Sequence, residues 1–69
     1  MFVKFTESMY QADTDTYVDV RQIGVNMERV LFVLPVADES RCSLFISQEN
    51  QVTVKSSVDG VLSIMANLK

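Results

Sequence analysis

Apolar and polar positions alternate along most of this chain and switch to a spacing of three and four only towards its C-terminal end, which predicts several strands followed by one helix. Over Met1 to Thr6, Val3 and Phe5 oppose Phe2, Lys4 and Thr6, as in a partly buried opening strand. Glu7 to Asp15 lose the alternation and end in the polar cluster Asp13-Thr14-Asp15, so a loop or long hairpin connection is expected there. Thr16 to Val20 restore the pattern, with Val18 and Val20 facing one way and Tyr17 and Asp19 the other. The chain then runs through Ile23 and Val25 and is expected to turn or bulge near Gly24 and Asn26. Arg29 to Leu34 carries the strongest strand signal. Leu31 and Val33 lie on one side of it and Val30, Phe32 and Leu34 on the other, so both faces are apolar. That pattern predicts a central strand, or one covered by a second copy of the chain.

Pro35 lacks an amide donor and is expected to stop the ladder, with Ala37 to Ser40 as a polar connection. Cys42 to Ser47 and Gln51 to Val54 read as two strands joined by the tight turn Gln48-Glu49-Asn50, a hairpin. Ser56 is placed to cap a helix whose first turn holds Asp59. In that helix Val58, Val61, Leu62, Met65 and Leu68 form an apolar stripe. Burying five such side chains contributes on the order of 10 kcal/mol before conformational entropy is subtracted. Gly60 costs the helix about 1 kcal/mol relative to alanine, so it marks a tolerated weakness or a close contact. The expectation is a single α+β domain over residues 1–69, an antiparallel sheet of about five strands with one C-terminal amphipathic helix packed on it.

Composition narrows the chemistry. The chain has 69 residues, 48% of them hydrophobic and 22% charged, and at this length only roughly 60% of the unfolded surface is buried, which leaves little room for a deep cleft. It has no histidine or tryptophan and one cysteine, which removes imidazole acid-base chemistry, an internal disulfide and zinc sites built from paired Cys and His. Six basic against nine acidic residues give a net charge of −3, and the basic ones are scattered, so nucleic acid is a disfavoured partner. Lys4 and Glu7 interrupt what would be the apolar stretch of an export signal. The longest apolar run, Val30 to Ala37, contains Pro35 and falls far short of the roughly 20 residues that cross a bilayer. A soluble cytoplasmic protein with a reduced Cys42 and no membrane segment is expected.

Tyr17-Val18-Asp19-Val20-Arg21-Gln22-Ile23, a strand pair, and Val52-Thr53-Val54-Lys55-Ser56-Ser57-Val58-Asp59-Gly60-Val61-Leu62 follow one another into the terminal helix. This order resembles the small flagellar FlbD-like family and similar short bacterial and phage proteins. Those sequences typically read as a strand near a Val-x-Val-x-x-x-Ile segment, a hairpin, and a Val-Lys-Glu-Ser-like junction before Val and Ile or Leu at helical spacing. The resemblance covers Tyr17 to Leu68 and implies a sheet-plus-helix architecture with no catalytic residues to transfer. Two segments depart from it: the longer Glu7 to Asp15 replaces the usual glycine-containing turn, and Pro35 to Ser40 is unlike the usual compact pattern. Ile23-Gly24-Val25-Asn26 also looks like a piece of the RNA-binding regulators of the carbon-storage type, which have five strands and a C-terminal helix.

Individual candidates for chemistry read more simply as structure. Asp13-x-Asp15 opens like a calcium loop but lacks its glycine and distal glutamate, which leaves a solvated turn. Asp38-Glu39 beside Cys42 reads as a polar connection. Cys42 would need a group that lowers its pKa, and its neighbour Arg41 points to the other face of a strand, so Cys42 is read as a small residue at a strand start or a dimer contact. Ser56-Ser57 have no accompanying base, and Gly24 and Gly60 fit no phosphate-binding pattern. No catalytic, cofactor or metal residue is assigned.

The surplus of apolar residues is more informative. Phe2, Met9, Tyr10, Tyr17, Phe32, Phe45 and Ile64 cannot all fit beneath one short helix, so some are expected to meet a partner. Phe2, Tyr17, Val30, Phe32, Leu34 and Phe45 are the candidate interface, and a symmetric homodimer is the commonest arrangement. The expected function is a noncatalytic protein-binding or assembly module. The alternative is a small nucleic-acid-binding regulator in which Arg21, Arg29 and Arg41 meet on one face. An enzyme would have to gather several of Asp13, Asp15, Asp19 and Glu28 in one pocket.

Overall fold

Strand pairing runs antiparallel throughout the computed structural model, which describes residues 1–67. The order is β1 (Phe2–Gln11), β2 (Thr16–Asn26), a 3-10 turn (Met27–Arg29), β3 (Phe32–Pro35), β4 (Cys42–Phe45), β5 (Gln51–Val54) and α1 (Val58–Ala66). They form one five-stranded sheet in the spatial order β2-β1-β5-β4-β3, an α+β arrangement. The two hairpins meet along a narrow seam. Between β1 and β5 the ladder holds the single pair Glu7 with Val54, next to a hydrogen bond of 2.8 Å from the Lys55 amide to the Thr6 carbonyl.

Register assigns the faces, because residues directly opposite in a sheet point the same way. Val3 pairs with Val25 and Phe5 with Ile23, while Val33, Leu44 and Val52 form one row and Cys42 and Val54 part of the next. These residues make the inner face, and Val58, Val61, Ile64 and Met65 of α1 join the same core. The link from β2 to β3 crosses from one edge of the sheet to the other and contributes buried Met27 and Val30 to that core. The outer face carries Phe2, Lys4, Thr6 and Ser8 from β1, Phe32 and Leu34 from β3, Ser43 and Phe45 from β4, and Gln51 and Thr53 from β5.

Several expected boundaries move. The strand expected to stop at Thr6 continues to Gln11, and the turn occupies only Ala12 to Asp15. Its apolar alternation fails because Glu7 and Ser8 sit opposite Arg21 and Asp19, so polar pairs fill the rows that apolar side chains occupy elsewhere. A bulge inserts Val20 there, so the register passes from Glu7–Arg21 to Ser8–Asp19, and Val18 and Val20 no longer share one regular face. The bulge lies at this point rather than near Gly24, while the turn expected near Asn26 is the 3-10 turn that Asn26 caps. Asp15 closes the turn with a φ of 53°, a conformation that a short polar side chain tolerates.

The strand expected over Arg29 to Leu34, either central or covered by a second copy, is the edge strand Phe32–Pro35, which overturns the central placement. Arg29 belongs to the 3-10 turn and Val30 is buried in the crossover, so the run is apolar because it serves two elements in succession. Pro35 ends β3 as its last paired residue, opposite Cys42. β4 stops at Phe45 rather than Ser47, because the Ser47 hydroxyl accepts from the amides of Glu49 and Asn50 and builds the turn. The helix cap is Ser57, one residue beyond Ser56: its hydroxyl accepts from the Gly60 amide at 3.1 Å and its carbonyl from the Val61 amide. The buried stripe is rotated accordingly. Val61 is fully buried and Val58, Ile64 and Met65 pack beside it, whereas Leu62 is exposed. Leu68 lies outside the described residues.

Candidate interaction surface

The six residues expected to form an interface separate into four places. Val30 is absorbed by the core of its own chain and faces no partner. Phe2 lies on the outer face of β1 and is 74% exposed. It joins Val3, Lys4, Gln22, Ile23 and Gly24 around a shallow cleft of about 290 Å³. Phe32, Leu34 and Phe45 come together on the outer face of β3 and β4. The Phe32 and Phe45 rings stack with centroids 4.5 Å apart and an interplanar angle of 14°, and Leu34 is 47% exposed. Tyr17, half-buried on β2, belongs to a polar cluster instead.

Main-chain parity shows what the β3 edge offers. The Ile46 amide bonds to the Asn50 carbonyl at 3.0 Å to close the β4–β5 hairpin. In an antiparallel ladder alternate residues turn their amides to alternate sides. Leu44 and Cys42 therefore address β5, and Phe45 and Ser43 address β3. Their partners Phe32 and Leu34 face inward, which leaves Val33 and Pro35 facing out. Leu31 has the same outward parity, yet its amide turns in to the Phe45 carbonyl at 2.7 Å. Proline has no amide, so Val33 alone presents an outward donor and the edge is blunted against strand addition. The side-chain face of β3 is what remains accessible.

Arg41, one residue before β4, organises the rest of the outer face. Its side chain is 12% exposed. The guanidinium donates from Nε to the Ser8 hydroxyl at 2.9 Å, from Nη1 to Asp38, and from Nη2 to Asp19 at 3.0 Å. It also lies 5.8 Å from the centroid of the Tyr17 ring. Lys55 reaches the second oxygen of Asp19 at 3.3 Å. The Arg41 hydrogen bond, seconded by Lys55, holds the Asp19 carboxyl below its usual range. Asp38 is lowered chiefly by the hydroxyl and then the amide of Ser40, with Arg41 adding to them. Asp19 in turn raises the Arg41 pKa. Ser8 and Ser43 are buried on this face, and Ser43 satisfies its hydroxyl with Thr53 at 3.2 Å.

Cys42 points into the core, where burial pushes its thiol pKa up. It is a packing residue and not a dimer contact. Asp15 accepts a hydrogen bond from the Tyr10 hydroxyl, which raises the Tyr10 pKa, and Asp13 lies beside it in the same turn. Glu28 sits away from them, 3.1 Å from the Met1 amino group. Among the described residues no three Cys, Asp or Glu side chains gather as a metal site. The three arginines expected on one face do not meet there. Arg21 pairs with Glu7 at 2.7 Å on the inner side of the hairpin, Arg41 is on the outer face, and Arg29 is in the 3-10 turn. Among the described residues no helix is long and apolar enough to cross a membrane.

The Arg41 cluster had a readable element in the sequence, the charges at Asp19, Asp38 and Arg41, but their spacings of 19 and 3 residues carry no pattern. No protein-family model, curated protein or solved structure matches this chain.

Proposed function

We propose that this chain is a noncatalytic protein-binding and assembly module, a cytoplasmic accessory protein that associates with a second copy of itself through the outer face of β3 and β4. The observation that carries the reading is the Phe32–Phe45 stack beside exposed Leu34, on a sheet face that α1 does not cover. Covering such a patch removes apolar surface from water without stranding a charge, since Phe32 to Pro35 contains none. The blunted edge favours contact between faces over strand addition. A face that meets its own copy is self-complementary about a two-fold axis. A patch built on three side chains, Phe32, Leu34 and Phe45, suits reversible association rather than a permanent dimer.

Sedimentation equilibrium over a micromolar to submillimolar range tests the reading. The expected result is a mass that rises towards two chains and returns to one in Leu34→Lys, with an unchanged circular dichroism spectrum because Leu34 is exposed. A strictly monomeric wild-type chain over the whole range overturns it.

A further inference from the structure

A second feature of the outer face plays no part in self-association. A cleft of about 400 Å³ opens between the tip of the β1–β2 hairpin and the turn after β3, lined by Tyr10, Asp15, Thr16, Tyr17, Ala37 and Asp38. Its walls combine two phenol rings, 5.3 Å apart between centroids and inclined at 58°, with two carboxylates. A ring face attracts a cation through its quadrupole, and a carboxylate beside it adds a charge-assisted hydrogen bond.

One cation already sits on this surface in that manner: the Arg41 guanidinium lies over Tyr17 and donates to Asp38 and Asp19. Asp38 is fully engaged, with one oxygen taken by Ser40 and the other by Arg41. Among the described residues Asp15 is engaged at one oxygen only, by the Tyr10 hydroxyl. Among the described residues, none of Asp13, Asp15 and Glu39 forms a salt bridge. The cleft therefore has an aromatic wall, a carboxylate oxygen without a partner among the described residues, and acidic neighbours.

We propose that this cleft docks a basic segment of a partner protein by laying one arginine side chain against the Tyr10 ring, with its fork at the Asp15 oxygen that the Tyr10 hydroxyl does not engage. Arginine fits better than lysine because its planar guanidinium stacks on a ring while its fork meets a carboxylate. Charge complementarity selects this occupant. A second copy of the chain is a poor one, since it carries a net charge of −3 and its basic residues are scattered.

The test is a nuclear magnetic resonance titration of the labelled chain with an acetylated, amidated tetra-arginine peptide at about 50 mM salt, where exposed charges are weakly screened. Saturable shifts centred on the amides of Tyr10, Asp15, Tyr17 and Ala37 are expected. Asp15→Asn and Tyr10→Leu each weaken binding about five-fold, while Asp13→Asn, which removes the same charge outside the cleft lining, changes it less than about two-fold. Asparagine tolerates the positive φ at residue 15, and Tyr10 is exposed, so both variants retain the fold. Equal weakening by Asp13→Asn and Asp15→Asn, shifts centred elsewhere, or no saturation overturns the proposal, as does equal binding of tetra-glutamate. Sedimentation is read separately, so failure of this docking leaves self-association standing, and the reverse.

Discussion

Arg41 replaces, with one side chain, much of the pairing that the sheet lacks between β1 and β5. Its three donors reach β1 at Ser8, β2 at Asp19 and the turn at Asp38, so it ties the hairpin to the second half of the molecule. Removing it leaves two carboxylates facing one another without a guanidinium between them. Arg21, by contrast, is 70% exposed in its pair with Glu7, and Arg21→Ala is expected to change stability by no more than about 0.5 kcal/mol. Arg41→Ala is expected to lower the thermal midpoint clearly further, as scanning calorimetry of the two variants would show. The same cluster sets an acid response. Asp19 and Asp38 have folded pKa values below the unfolded ones, so their stabilisation is complete above the ordinary carboxyl value of about 3.9 and is lost as pH falls through the depressed values. Urea midpoints taken from neutral pH down to about pH 2 should fall over that window, and less steeply in Asp19→Asn. Identical slopes in the two proteins would remove the carboxylate from the account.

At the scale of the element, α1 is governed by a conflict at Gly60. Alanine there adds about 1 kcal/mol of helix propensity. A methyl group would also stand 3.2 Å from the Ser57 hydroxyl that caps the helix and 3.3 Å from that of Ser56. Gly60→Ala is therefore expected to gain little in the wild type and more in a Ser57→Ala background, a coupling that a double-mutant cycle by urea unfolding measures directly. Additive effects would show that the methyl does not disturb the cap. The same element explains how far the sequence could be read. Its existence and its place on the sheet were legible, since Val58, Val61 and Met65 recur at helical spacing, but two adjacent serines left the cap ambiguous. A shift of one residue exposes Leu62 and brings in Ile64. β5 was legible to the residue because alternating valines lie between clear turn signals. The distal half of β1 was not, because its inner and outer rows are filled by ion pairs and a buried serine whose partners lie far along the chain.

At the scale of the whole molecule, the sequence announced an excess of apolar side chains without saying where each would go. Tertiary structure divides them: Val30 enters the core through a crossover that no periodicity reveals, Tyr17 joins the arginine cluster, and Phe32, Leu34 and Phe45 remain on the outer face. The arginine cluster was equally hidden, since only the fold brings residues 8, 19, 38 and 41 together. The shape that results is elongated, 41 × 22 × 19 Å, with the long β1–β2 hairpin joined to the remaining strands at a one-pair seam. Such a waist divides the chain into units that need not open together. Amides of Val52 and Val54 in the closed half should resist deuterium longest, while those of Tyr10, Tyr17 and Val18 exchange early, so that the far reach of the hairpin breathes while the core stays shut.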